Sequence, residues 1–182
     1  MKKILTVLIL TLILGSQTMA YEEANYEIIN AKKNYEIRKY FDRLVIETNS
    51  TEGNGFRKLF NYISGNNEEK KEIKMTVPVT QENKNGNMKM QFYLPSKFNK
   101  DNVPKPSNSE IKILNVEGGY YAVIKYSGRS SDKNFIKNRN ILEKELKKDN
   151  IRILSSPIRA SYNSPFTLPI LKRNEVMFRI DL

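Results

Sequence analysis

The stretch IKMTVPVT, residues 73–80, alternates like a β-strand and yet carries a proline near its middle. One face of such a strand carries four apolar residues: Ile73, Met75, Val77 and Val79. The other face carries Pro78 among polar side chains, and proline has no N–H to donate to a neighbouring strand. We therefore expect this strand at the edge of a sheet or at a bulge, with its apolar face covered by another element.

The residues before this stretch predict the element that covers it. After the break at Gly53-Asn54-Gly55, apolar residues recur with the spacing i, i+3, i+4 and i+7: Phe56, Leu59, Phe60 and Ile63. This spacing is typical of an amphipathic helix, which would end before Gly65. The apolar face of the strand most simply packs beneath this helix.

The same order of elements, two strands, a helix and two strands, occurs twice along the chain. The first unit comprises two strands within 35–49, the helix at 56–63, and strands at 73–79 and 88–94. The second unit comprises strands at 111–116 and 120–127, a helix from Ser130 or Ser131 to about Lys148, and strands at 157–163 and 176–180. The two units therefore begin about 76 residues apart, which indicates an internal repeat that rests on element order rather than residue identity.

The repeat predicts an α+β fold. The second helix turns four apolar residues inward: Phe135, Ile141, Leu142 and Leu146. Halves of about 35–95 and 110–182, each with one helix over antiparallel strands, would bury both helices against a shared sheet or open barrel. The polar, proline-containing connector between the halves is expected to be exposed.

Residues 1–20 have the pattern of a cleaved secretory signal peptide. Two lysines precede a short apolar run at residues 4–14, and the small residues Thr18 and Ala20 fit a cleavage site before Tyr21. The alternative is an uncleaved membrane anchor. We expect an exported, periplasmic protein.

Cleavage would leave a single domain, residues 21–182, with a strongly basic charge. The chain has a net charge of +11, and the loss of Lys2 and Lys3 leaves +9. This charge favours anionic ligands or surfaces, although scattered lysines are also typical of an ordinary soluble protein. Export argues against a nucleic-acid partner.

The chain contains no histidine and no cysteine. These absences exclude a Ser-His-Asp triad, a thiol nucleophile, a histidine-ligated zinc and an imidazole ligand to haem iron within this chain.

Four stretches resemble successive signatures of the SOUL haem-binding protein family. They are FRKLFNYISGNN at 56–67, IKMTVPVT at 73–80, MQFYLP at 90–95 and ASYNSPFTLPILKRNEV at 160–176. The resemblance implies a distorted antiparallel β-barrel built from two pseudo-symmetric βαββ halves with two flanking helices. It also implies binding of haem or a related tetrapyrrole, because eukaryotic members of the family bind such ligands.

The resemblance places the ligand surface beside the first helix. It implies five apolar contacts, Phe56, Leu59, Phe60, Ile63 and Met75, with Arg57 and Lys58 as cations for the carboxylates of a porphyrin. The alternative for Leu59 and Ile63 is ordinary core packing.

Haem iron has few candidate ligands in this chain. They are the methionines Met75, Met88 and Met90 and the tyrosines Tyr62, Tyr126 and Tyr162. A methionine on an alternating strand is usually a core residue. We therefore expect haem binding through apolar burial, with weak or absent iron ligation, and binding of metal-free porphyrin as well.

The motif Arg173-Asn174-Glu175 has two interpretations. Arg173 and Lys172 would form a second anion contact with Glu175 lining the groove, or Glu175 would pair with an arginine for structural reasons. We favour the second interpretation.

The predicted function is non-enzymatic binding of a tetrapyrrole or similar hydrophobic anion. One alternative is a hydrolase with Asp42, Glu117 or Glu175 as general base, although their spacing forms no recognisable pair. Another is a protein that interacts with the anionic membrane surface through the connector lysines, Lys97, Lys100 and Lys105.

Overall fold

The computed structural model describes residues 21–50, 53–84 and 86–182. The predicted signal peptide, residues 1–20, lies outside the described residues. Within the described part of the chain, no helix combines the length and the apolar character that a bilayer span requires.

From residue 36 onwards the strands and two α-helices follow the predicted order, except that the strand predicted at 73–79 is divided in two, and two strands at 22–31 were not predicted. The first half contains β1 (Glu22–Glu23), β2 (Tyr26–Ala31), β3 (Glu36–Tyr40), β4 (Arg43–Ser50), α1 (Gly55–Ile63), β5 (Thr76–Val77), β6 (Val79–Lys84) and β7 (Asn87–Tyr93). The second half contains β8 (Lys112–Val116), β9 (Gly119–Tyr126), α2 (Asp132–Lys148), β10 (Ile158–Ser161), a 3-10 turn (Pro169–Leu171) and β11 (Asn174–Arg179).

Nine strands form one antiparallel sheet in the order β2-β3-β9-β11-β10-β6-β7-β4-β8. The order β9-β11-β10 in the second half repeats the order β4-β7-β6 in the first, and the two halves join where β10 pairs with β6. The sheet curls into a half-barrel with both helices on its outer face. The α+β fold predicted from the repeat is confirmed.

The first predicted strand of each half pairs with a strand of the other half. β3 pairs with β9, and β8 pairs with β4, so consecutive strands such as β3 and β4 do not form a hairpin. The turns that follow the exchanged strands touch, since the Gly118 N–H donates to Asp42 Oδ1 at 2.7 Å. A Cβ at Gly118 would lie 2.5 Å from the Tyr40 carbonyl oxygen, so glycine is required there.

Each helix packs on the outer face of its own half. Leu59, Tyr62 and Ile63 of α1 are buried against a cluster that includes Ile46 and Phe92.

The second helix repeats this packing. Leu142 and Leu146 of α2 are buried against Val176 and Phe178. Ile141, which the sequence placed inward, lies on the exposed side of α2, so that prediction is wrong.

The proline-containing stretch at 73–80 is not one strand. Before Pro78, β5 pairs with β1 in a separate two-stranded sheet. After Pro78, β6 lies in the large sheet between β10 and β7. The Val77–Pro78 peptide bond is cis. Ile73 and Val79 pack under α1 as predicted, whereas Val77 turns to the inner side. Pro78 therefore marks a change of sheet rather than an edge position.

Candidate ligand-binding surfaces

Two phenylalanines of α1 project from the outer face of the sheet. Phe56 and Phe60 are 43% and 47% exposed, and their ring centroids lie 5.8 Å apart with an interplanar angle of 13°. The Phe56 ring also contacts the buried ring of Phe92, with centroids 5.2 Å apart. The pair thus forms an exposed patch of two nearly parallel, stacked rings that is anchored to the core.

The side of α1 on which this pair lies can be derived from Lys58. Its Nζ pairs with the Glu110 carboxylate at 2.8 Å, and Glu110 precedes β8. Successive helical residues rotate by about 100°, so residues two positions away from Lys58 lie on the opposite side of the helix. Phe56 and Phe60 therefore face away from β8, towards β6 and the other half.

The other predicted contacts divide between surface and core. Leu59 and Ile63 are buried beneath α1, which is the core role given as their alternative, and Met75 packs partly buried against the same cluster. Arg57 is exposed and makes no ion pair with the residues that the structure describes. Of the predicted site, Phe56, Arg57 and Phe60 are thus the residues that present a free surface.

A cavity of about 440 Å³ lies beside the first turns of α2 on the outer face. We call it the outer groove, and its lining is Gln81, Asn83, Met88, Asp132, Phe135, Ile136, Arg139, Pro157 and Arg159. Gln81 pairs with Met90 on one side and with Arg159 on the other. α1 begins above Met90, and Phe135 of α2 lies against the Arg159 guanidinium at 4.5 Å. The first turns of both helices therefore flank the groove, and the predicted site residues lie beside it rather than in its lining.

The inner face of the sheet holds a buried ion pair. Arg38 donates to both carboxylate oxygens of Glu175, at 3.0 and 3.2 Å, and both side chains are fully buried. The Tyr162 hydroxyl donates to Glu175 at 2.7 Å and Arg173 Nε donates at 2.9 Å. The structural interpretation of Glu175 is confirmed, and its carboxylate has no free position in which to act as a general base.

Arg173 also binds a second carboxylate, that of Glu23. Its two terminal nitrogens donate to the Glu23 carboxylate at 3.0 and 2.8 Å, so it does not serve as a free anion contact. Burial, together with the Glu175 charge, holds the pKa of Tyr162 well above its usual range. Tyr162 therefore stays a protonated donor to Glu175 at all physiological pH values.

Among the residues that the structure describes, no group of three or more carboxylates is arranged to hold a metal ion. Two candidate iron ligands are already engaged, since the Tyr62 hydroxyl donates to the Pro104 carbonyl at 2.6 Å and Tyr162 donates to Glu175. Met88 is the candidate that lines the outer groove.

A curled antiparallel sheet built from two halves with exchanged strands, with one helix on the outer face of each, defines an α+β half-barrel protein. The chain belongs to the SOUL heme-binding protein family, whose match covers residues 21–179. It is 30% identical over 184 residues to the mouse (Mus musculus) protein "Heme-binding protein 2", covering 89% of this chain and 87% of that protein.

Solved structures share the fold at low sequence identity. The C-terminal domain of EcmrR superposes with a TM-score of 0.61 at 10% identity, covering 86% of this chain and 98% of that domain. A structure described as a hydrolase from Listeria innocua has a TM-score of 0.56 at 10% identity, covering 84% of this chain and 94% of that one. At this identity the likeness concerns the fold alone.

Proposed function

We propose that this protein binds haem or a related tetrapyrrole, without catalysis, on the outer face of the sheet beside α1. The observation that carries the proposal is the exposed, stacked pair of Phe56 and Phe60, which we place on the side of α1 that faces the other half. Family membership and the likeness to mouse heme-binding protein 2 support the ligand class. With residues 1–20 as a cleaved signal peptide, the binding would take place in the periplasm.

The residues beside α1 fit the chemistry of a porphyrin. A porphyrin is a flat apolar ring with two carboxylates on one edge, so it requires an apolar surface and a cation at the rim. Phe56 and Phe60 supply the surface, and Arg57 between them in sequence supplies an exposed guanidinium. The outer groove next to the pair adds the apolar side chains of Phe135 and Ile136.

Iron contributes little to the proposed affinity. The chain has no histidine, and the candidate ligand in the outer groove is the thioether of Met88, which is a weak donor. Affinity therefore comes from burial of the apolar ring and from the rim charge.

We expect haem and metal-free protoporphyrin to bind with dissociation constants within about fivefold of each other, a difference of about 1 kcal/mol. Quenching of tyrosine fluorescence measures both ligands, because the chain has ten tyrosines and no tryptophan. Haem that binds more than about a hundredfold tighter would show a strong axial ligand, which a Met88→Ala variant would then locate. If neither ligand binds, the proposed function is wrong.

A second candidate function is attachment to an anionic membrane surface. The loop between β10 and β11 exposes four large apolar side chains: Phe166, Leu168, Ile170 and Leu171. Phe166 is 95% exposed, and the loop is held in shape by bonds from the Gly128 N–H to the Pro169 carbonyl and from Lys172 Nζ to the Pro165 carbonyl. Apolar tips on a strongly basic protein suit insertion at an anionic lipid surface.

For this second function we expect the double variant Phe166→Ser/Ile170→Ser to bind vesicles containing phosphatidylglycerol about fivefold more weakly, since two inserted side chains become polar. Cosedimentation measures the bound fraction, and binding should fall in high salt and on neutral vesicles. The control is Ile28→Ser/Ile29→Ser, which changes two exposed isoleucines on β2. Equal vesicle binding by both variants and the native protein would exclude the loop, and a loss of porphyrin binding instead would assign the loop to the tetrapyrrole site.

A further inference from the structure

Arg43, the first residue of β4, lies on the inner face among three tyrosine rings. Its guanidinium carbon is 4.9 Å from the ring centroids of Tyr40 and Tyr93 and 5.7 Å from that of Tyr121. Its Nη1 donates to the Phe41 carbonyl at 3.3 Å. Its Nε is buried and has no hydrogen-bond partner among the described residues. The three rings surround the guanidinium, so we expect a partner for Nε to approach along the edge of the group.

Arg38 is the fully buried arginine of the inner face, and its partners show what the partly buried Arg43 lacks. Arg38 is bound by the carboxylates of both Glu36 and Glu175. Arg43 has no carboxylate within ion-pair distance in the described part of the chain. A partly buried cation without a carboxylate, and a buried N–H without an acceptor, both cost free energy. The same costs are relieved if a ligand supplies the carboxylate.

Arg43 and Tyr93 form the boundary between two cavities, and the charges around these cavities differ. The first, of about 460 Å³, contains three carboxylates, Glu22, Glu23 and Asp42, and Arg43 as its cation.

The second cavity, of about 360 Å³, is called the inner cavity here. It contains the cations Arg43, Lys89 and Arg179 against the carboxylates Glu47 and Glu82. Its apolar lining includes Leu114, Ile158 and Met177. The inner cavity therefore favours an anion, whereas the first cavity repels one.

We propose that the inner cavity is a second binding site, separate from the tetrapyrrole surface on the outer face, for a small monocarboxylate with a compact apolar body. The carboxylate accepts hydrogen bonds from the Nε edge of Arg43, in the side-on geometry that a guanidinium offers to a carboxylate. The apolar body packs on Ile158 and Met177. A cavity of this volume is at the small end of the range for ligand sites, which selects a ligand about the size of a substituted benzoate.

Benzoate and its neutral isostere benzamide test this site on the native protein. We expect benzoate to bind at least tenfold more tightly than benzamide, because only the carboxylate pairs with Arg43. In ¹⁵N NMR spectra, benzoate should shift the Nε–H resonance of Arg43 and leave that of Arg38 unchanged, since Arg38 is already bound by carboxylates. Equal affinity of the two probes, no binding of benzoate, or a shift of Arg38 instead of Arg43 would overturn the proposal.

The variant Arg43→Lys keeps a cation among the tyrosines but loses the side-on edge, so benzoate affinity should fall at least tenfold. Arg152→Lys, at an exposed ion pair with Asp181, is the matched control and should bind benzoate normally. Protoporphyrin binding by Arg43→Lys, with native circular dichroism, shows that the variant is folded. Native benzoate affinity in folded Arg43→Lys would contradict the proposal and leave the tetrapyrrole surface unaffected.

Discussion

Replacing Glu175 with glutamine is expected to lower the free energy of unfolding by about 3–5 kcal/mol. The carboxylate is fully buried and accepts hydrogen bonds from Arg38, Arg173 and Tyr162. Glutamine has nearly the same shape, but it is neutral and turns an NH₂ group towards these donors. Arg38 would then keep only Glu36, which is a partly exposed partner, so most of its buried charge would be uncompensated.

Urea denaturation followed by circular dichroism measures this loss. The control is Asp181→Asn, which removes the carboxylate from the exposed Arg152–Asp181 pair and should cost no more than about 1 kcal/mol. A Glu175→Gln variant that is as stable as the control would show that the inner ion network does not stabilise the fold.

The helices and most strands of this fold could be predicted from the sequence because the spacing of apolar residues along each segment indicates them. The spacing from Phe56 to Ile63 predicted α1, and the order of strands and helices predicted two related halves. The exact face of α1 was harder to predict. Leu59, Tyr62 and Ile63 point into the core, whereas Phe56 and Phe60 are largely exposed. The apolar residues of α1 cover so much of its circumference that the sequence does not show which of them face the sheet.

The exchange of β3 and β8 between the halves could not be predicted. Alternation along a strand decides which side chains share a face, and it is equally satisfied by a local hairpin and by pairing with a distant strand. The exchange brings Gly118 against the carbonyl of Tyr40. These two residues are far apart in sequence, so no local pattern indicates the contact.

The inner face was largely missed for a related reason. Alternation predicted a strand at 176–180, but not that Glu175 and Met177, on the face opposite Val176 and Phe178, are buried as well. β11 is buried on both faces because α2 covers one face and the curled sheet encloses the other. The tyrosines around Arg43 come from three different strands, so no local signal in the sequence brings them together.

The double variant Phe56→Ala/Phe60→Ala is expected to weaken tetrapyrrole binding at least tenfold, which corresponds to about 1.4 kcal/mol or more. The two stacked rings supply the exposed aromatic surface that a porphyrin would contact, and alanine removes both. The truncation also removes the contact of Phe56 with Phe92, whereas the buried contacts of Leu59 and Ile63 remain, so circular dichroism must show that the variant is folded. A loss of affinity in a folded variant would therefore report on the site itself.

The most direct test of the proposed tetrapyrrole surface is a titration of metal-free protoporphyrin into three proteins: the native chain, Phe56→Ala/Phe60→Ala and Ile28→Ala/Ile29→Ala. The last variant removes two exposed apolar side chains from β2, away from α1. We predict at least a tenfold weaker dissociation constant for the phenylalanine variant and an unchanged constant for the isoleucine variant. The same affinity in all three proteins would contradict the assignment of the ligand to the surface beside α1.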